Sequence, residues 1–328
     1  MSEFQIKFPG KQVNVIFEDG IINSNWSFLD SDKRYLVITD TNLTKIYGKL
    51  LKVIPNLITI ISIKPGEPAK SFTVYEKIIH TLQEVNFRKN DVMIAFGGGV
   101  ICDLTGFIAS TYQQGISYIQ IPTSLVAQTS SSVGGKSGIN YHYKNALGTI
   151  YQPERVIIDI HLLKTLPKDE LNYGIVEMIR YGFVKDDSII DDLQKFNLPF
   201  KKDLLISLIE RCIKGKIALI QKDKGNDENH LFLQFGSFYG QIIEVNSKYK
   251  IPYGKAVAFG MYYELAGSPY QEILLELLKK YHLESNIEKY NITFNDYINY
   301  HKKTFTDKIV MIDIKKIGLG KLIEKGIE

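Results

Sequence analysis

Short runs of apolar and β-branched residues recur through the first half of the chain, each closed by a polar or glycine-rich turn. Residues 13–17 (V-N-V-I-F), 34–39 (R-Y-L-V-I-T), 57–63 (L-I-T-I-I-S-I), 92–96 (V-M-I-A-F), 118–121 (Y-I-Q-I) and 156–159 (V-I-I-D) all read as strands. The fourth run is apolar without alternation, as in a parallel strand buried on both faces, and the third is also expected to be buried. Helical stretches are expected around 43–51, at 72–85 and from Val100 onward. Strands alternating with helices predict a Rossmann-like, doubly wound sheet, with a ligand at the carboxyl ends of the strands. Beyond residue 162 the pattern is mostly helical, at 170–181, 202–221, 239–244 and 271–281, and 309–314 is the only late strand candidate. No Pro- or Ser-rich linker and no repeat interrupts the chain. The change of pattern near 165 divides it into an α/β Rossmann-like domain (1–164) and a mostly α-helical C-terminal domain (165–328).

Composition narrows the function classes. A length of 328 residues accommodates two domains, and 45% hydrophobic with 23% charged residues is ordinary for a soluble globular protein. The net charge of +4 is too small and too evenly spread to imply a nucleic-acid partner, and none is expected, but it suits an anionic small substrate. Cys102 and Cys212 are the only cysteines and form no CxxC, so neither a disulfide framework nor a thiolate metal site is expected. The N-terminus lacks signal-peptide character, and no apolar run approaches the ~20 residues of a membrane helix. The expected location is the cytoplasm, with no membrane partner.

Candidate chemistry gathers between residues 91 and 145. Gly97, Gly98 and Gly99 fall at a strand-to-helix junction, where a helix N-terminus favours an anion and glycine lets it approach. Alone, such a run also fits a plain strand-to-helix turn. Asp40 ends a strand, where it could accept from a ribose hydroxyl or N-cap the next helix. Thr123 and Ser124 offer hydroxyls after Pro122, and Asp103 is expected on the first turn of the helix after the glycines. Gly134, Gly135 and Lys136 are expected to form a second flexible loop ending in a cation, suited to an anion.

The blocks G-G-G-V-I-x-D-L-x-G-F, P-T-S-L-x-x-Q, S-S-V-G-G-K, K-N, Y-Q-P and T-L-P-x-x-E-L occur in one order. Together they closely resemble the 3-dehydroquinate synthase family of NAD-dependent sugar-phosphate cyclases, from about Asp40 to the C-terminus. The resemblance implies an NAD site formed by Asp40, Glu67, Lys70, Gly97, Gly98, Gly99, Val100, Asp103, Thr123, Ser124, Lys136, Lys144 and Asn145. Without it, Glu67 and Lys70 would pass for solvated loop charges, and Lys136 and Lys144 for ordinary surface lysines. It also implies a homodimer and an anionic seven-carbon sugar phosphate as substrate. In that reaction NAD transiently oxidises a hydroxyl, phosphate is eliminated, the ketone is reduced again, and the ring reopens and closes as a carbocycle.

The family also implies a divalent metal, zinc or cobalt, held by one glutamate and two histidines. Glu177 matches the glutamate in G-I-V-E-M-I-R-Y-G, where Arg180 replaces an active-site lysine. Ser237 stands at one histidine position and Tyr253 at the other, with Gln241 and Lys255 as further departures. A hydroxyl and a neutral phenol are poor zinc ligands, so the metal is expected to be absent or weak. All six histidines (His80, His142, His161, His230, His282, His301) lie outside the two ligand positions. Ser130, Gln114, His230 and Gln234 replace further polar residues of the family pattern. Lys136, Lys144, Asn145, Glu177, Arg180, Lys216, Lys302 and Lys303 remain the catalytic candidates, with Glu177 as a base and Lys136, Lys144, Lys216 and one of Lys302 or Lys303 gripping substrate anions. The expected function is 3-dehydroquinate synthase-like cyclisation of a phosphorylated sugar acid, with an impaired or altered metal-dependent step. The alternatives are a non-catalytic NAD-binding homologue and a metal-independent enzyme for another sugar phosphate.

Overall fold

The apolar runs of the first half do become strands, and their consecutive hydrophobicity has a plain cause. A computed structural model describes residues 2–18, 20, 26–221, 228–248, 250–283, 296 and 309–325. Its contacts divide the chain into two units, Met1–Leu166 and Pro167–Glu328. The first unit contains β1 (Ser2–Phe8), β2 (Lys11–Glu18), β3 (Tyr35–Asp40), β4 (Leu57–Ile63), β5 (Val92–Gly97), β6 (Tyr118–Pro122), β7 (Lys136–Tyr141), β8 (Tyr143–Ile150) and β9 (Arg155–Asp159). Its helices are α1 (Thr41–Leu51), α2 (Phe72–Glu84) and α3 (Gly99–Thr111).

Seven strands form one sheet in the order β1-β2-β9-β6-β5-β3-β4, antiparallel at β1–β2 and parallel elsewhere. Tyr35, Val37, Val92, Ile94 and Phe96 join one core with Leu51 of α1. Leu36, Ile38, Met93 and Ala95 join another with Ile78 and Leu82 of α2 and Ile101, Leu104 and Ile108 of α3. With both faces covered, neither set of alternate residues can be polar. Each fully buried Val, Leu or Ile contributes roughly 1.5–3 kcal/mol. The chain leaves β3 through α1 for the outer strand β4, then returns through α2 to β5 on the other side of β3. The order therefore reverses between β3 and β5, and a ligand crevice lies outside the carboxyl ends of strands at such a reversal. Asp40, Gly97 and Thr123 all fall at those ends.

The loop expected to end at Lys136 gives way to strands. Lys136 does not end a loop but opens β7, and Lys144 and Asn145 lie within β8; these strands form a separate antiparallel hairpin. Glycine makes its close pairing possible, since a Cβ on Gly138 would sit 2.7 Å from the Leu147 carbonyl oxygen. Such Gly- and Asn-rich strands carry little alternating pattern to read.

The second unit contains α4 (Lys168–Val184), α5 (Asp187–Lys195), α6 (Lys202–Gln221), α7 (Ser237–Asn246), α8 (Tyr253–Glu264) and α9 (Tyr270–Lys280). A hairpin of β10 (Ile309–Lys316) and β11 (Leu319–Lys325) follows. The late strand expected at 309–314 is thus present as β10, whereas α5 and α8 were not singled out in the pattern. Every residue of α4 from Gly174 to Val184 is buried, so it is the central helix of its unit. Glycines let α8 come close to its neighbours. A Cβ on Gly254 would lie 2.3 Å from Tyr173 Cβ on α4, and one on Gly260 would lie 1.8 Å from the Gly236 carbonyl oxygen. That proximity determines which side chains meet in the unit's interior.

Candidate functional site

In the first unit the glycine turn is held open for reasons of space. Gly97 ends β5, Gly98 caps α3 and Gly99 begins it, with Val100 in its first turn. A Cβ on Gly97 would come within 2.5 Å of the Ile101 side chain, and one on Gly99 within 3.0 Å of Ser131 Oγ. No side chain caps α3, so its first N–H groups face the turn as an anion site would require. Asp40 does serve as an N-cap, its Oδ1 accepting from Asn42 N at 2.8 Å and Leu43 N at 3.0 Å. Thr123 is buried, and its N–H donates to the Gly97 carbonyl at 3.0 Å. Ser124 Oγ accepts from Ala127 N at 3.3 Å.

Beside this turn several of the candidates converge on Lys70, whose side chain is 2% exposed. Its ammonium donates to Asp103 Oδ2 at 2.6 Å and Asn145 Oδ1 at 2.5 Å, and lies 3.6 Å from Glu67 Oε1. Burial works to lower the Lys70 pKa, but attraction to Asp103 and Glu67 outweighs it, and the net shift is upward. The ammonium therefore stays charged, against some opposition from Lys144. Asp103 lies beyond the first turn of α3, contrary to expectation, because the helix begins at Gly99; its carboxylate serves Lys70 rather than the helix dipole. Sequence reasoning missed Asn140, which donates through Nδ2 to Glu67 Oε1 at 2.9 Å and accepts from Asn145 N at 2.8 Å. Nothing in the local pattern distinguishes this asparagine; only the β7–β8 pairing brings it to Glu67. Asn145 adopts a positive φ of 55°, which asparagine tolerates better than most residues. Lys136 is exposed at the start of β7.

In the second unit the positions that the family resemblance pairs with metal ligands surround a guanidinium. Glu177 and Arg180 stand one turn apart on α4, while Ser237 opens α7 and Tyr253 opens α8. Arg180 Nη1 lies 3.1 Å from both Glu177 carboxylate oxygens, donating to Oε2. It also donates to the Tyr253 hydroxyl at 3.3 Å, and Nη2 donates to Ser237 Oγ at 2.9 Å. Glu177 is 1% exposed and Arg180 3%. Burial alone would lower the Arg180 pKa, but the charge of Glu177 and the Tyr253 oxygen overcome it and raise it further. The cation is permanent.

This donor set does not fit a zinc or cobalt ion. One carboxylate and two neutral hydroxyls are poor in charge, and all three groups already bond to a positive group. Among the described residues, no three His, Cys, Asp or Glu side chains gather in a way that could hold a metal. Lys255, a departure from the family pattern, extends over the Phe259 ring, 5.7 Å from its centroid. Lys216 is buried on α6, and Lys302 and Lys303 lie outside the described residues. Sequence reasoning also missed Glu264 at the end of α8. Its Oε1 accepts from Gly236 N at 3.0 Å, and burial pushes it up to about 8, against the Gly236 N–H and Arg180. The Cys212 thiol is likewise raised, by burial and then by Glu177.

Comparison with known proteins identifies the family. The 3-dehydroquinate synthase N-terminal family matches residues 60–173, and the 3-dehydroquinate synthase C-terminal family matches residues 174–312. The chain is 34% identical to the 3-dehydroquinate synthase of Clostridium kluyveri, over 99% of this chain and 96% of that protein. It is 34% identical to that of Dictyoglomus thermophilum, over 99% and 95% respectively. Among solved structures, 2-deoxy-scyllo-inosose synthase complexed with carbaglucose-6-phosphate, NAD+ and Co2+ matches with a TM-score of 0.84 at 20% identity, over 99% of this chain and 97% of that one. The 2-epi-5-epi-valiolone synthase of Streptomyces hygroscopicus, with NAD+ and Zn2+ bound, matches with a TM-score of 0.83 at 21% identity, over 94% and 91%.

Proposed function

We propose, for a chain that belongs to the 3-dehydroquinate synthase family, an NAD-dependent cyclisation of a phosphorylated sugar acid with loss of phosphate. The relatives' names carry with them the shikimate pathway. In this reading NAD lies at the carboxyl ends of β3, β5 and β6, its phosphates at the glycine turn. The observation that carries it is the charged network of Lys70, Asp103, Asn145, Glu67 and Asn140 beside that turn. Packing needs no buried ammonium there, whereas a nucleotide site needs fixed, pre-oriented polar groups. Lys136, Lys144, Lys216 and one of Lys302 or Lys303 would grip the substrate's anionic groups. A cytoplasmic homodimer completes the reading.

The oxidised oxygen in this reading is polarised without a divalent metal, a loss that costs several kcal/mol of Lewis-acid help and therefore orders of magnitude in rate. The Arg180 contacts also favour a second reading, an NAD-binding homologue without turnover. Calorimetric titration with NAD, followed by phosphate release on adding the relatives' substrate, separates the two. Both readings require NAD binding; slow release unaffected by a chelator supports the first, and no release supports the second. Phosphate release abolished by a chelator overturns the altered-metal part of the reading.

A further inference from the structure

Glu177, Ser237 and Tyr253 come from three different helices, yet their side-chain oxygens turn toward one point, occupied by the two terminal nitrogens of Arg180. We propose that the Arg180 guanidinium is a built-in cation that takes the place of a divalent metal, neutralising Glu177 and keeping metal out of this chain.

Geometry and charge both support the assignment. A planar guanidinium can spread several donors over separate oxygens, which a lysine ammonium does less well. Here Nη1 serves the carboxylate and the phenol while Nη2 serves the serine hydroxyl. The two hydroxyl oxygens are acceptors suited to an N–H donor and weak ligands for zinc. Arg180 and its carboxylate partner are both almost wholly buried, so a metal would have to enter against a positive charge that water does not screen. Compensation is also local: the residue that brings the charge sits one helical turn from the carboxylate it neutralises. A merely degraded site would leave a buried carboxylate facing neutral groups, which is costly. This inference extends the altered-metal part of the proposed function, but its test needs no substrate, so it can fail while the cyclase reading stands.

The test is zinc and cobalt uptake by three forms of the full chain: the natural sequence, S237H/Y253H, and S237H/Y253H/R180M. Each is dialysed against metal and then buffer, with bound metal measured by mass spectrometry and cobalt by its visible absorption. The natural chain and the double variant are expected to retain no stoichiometric metal. The triple variant is expected to hold close to one ion per chain, with affinity more than about 100-fold above the double variant, because a like charge has left the ion's first neighbours. Stoichiometric zinc in the natural chain with Glu177 as a ligand overturns the proposal. So does a double variant that binds as tightly as the triple, or a folded triple variant that binds no more than its parent. If circular dichroism shows the triple variant unfolded, the natural chain decides alone. A ligand that binds only the folded state raises the melting midpoint, so a midpoint raised by zinc and restored by EDTA refutes the assignment, and one that neither moves supports it.

Discussion

Replacing Arg180 with methionine keeps roughly the volume of the side chain's stem and removes its charge. Glu177, 1% exposed, is then left as a buried carboxylate without the cation 3.1 Å away. At that distance, and with an effective dielectric constant of about 20, the lost attraction is about 5 kcal/mol. Breaking buried pairs by removing one partner costs about 3–5 kcal/mol in practice, so Arg180→Met should destabilise the second unit by about 3–4 kcal/mol. Adding Glu177→Gln removes the orphaned charge. The double variant should then lose only the hydrogen bonds to Ser237 and Tyr253, at about 1 kcal/mol each. The double variant is therefore expected to be more stable than the single one, by about 1–2 kcal/mol. Urea unfolding followed by far-UV circular dichroism reports this directly, because α4 to α9 are helices of that unit. Single and double variants that unfold together, or a single variant within about 0.5 kcal/mol of the natural chain, would refute the claim that the guanidinium neutralises a buried charge.

Lys70→Met should weaken NAD binding at least tenfold in calorimetry and cost about 2–3 kcal/mol of stability, since Asp103 and Asn145 lose a buried, charge-assisted donor. Gly97→Ala should cost about 1–3 kcal/mol in thermal or urea unfolding, because its Cβ would meet Ile101 at 2.5 Å and one side chain or the turn must shift. Burial raises Glu264 from 4.5 to about 8, so between those values the folded chain holds a proton that the unfolded chain has released. This contribution to stability is full below about pH 4.5, declines as the pH rises through the window and is gone above about 8, a total of up to about 5 kcal/mol. Glu264→Gln keeps an acceptor for Gly236 N and should remove that slope from stability measured across pH 5 to 8; an unchanged slope refutes the assignment to Glu264.

What the sequence determined alone was the layering of the first unit and the nature of its turn. A strand buried on both faces must be apolar at successive residues, as Val92–Gly97 is, and that requirement is written locally. The same holds for the boundaries of Leu57–Ile63 and Lys202–Gln221, which coincide with their runs of pattern. Hairpins rich in glycine and asparagine, such as β7–β8, left no such trace, because their stability comes from backbone pairing and from the helix beneath them. The family resemblance also implied that Ser237 and Tyr253 stand at two histidine positions, but not what their side chains meet. Arg180 is 57 residues from Ser237 and 73 from Tyr253, and it reads as a conservative change from lysine. Only the close approach of α7 and α8, permitted where Gly236 and Gly260 lack side chains, brings those hydroxyls onto the guanidinium. Charge on a residue is local information; the burial and the partners that decide what the charge does belong to the packed helices.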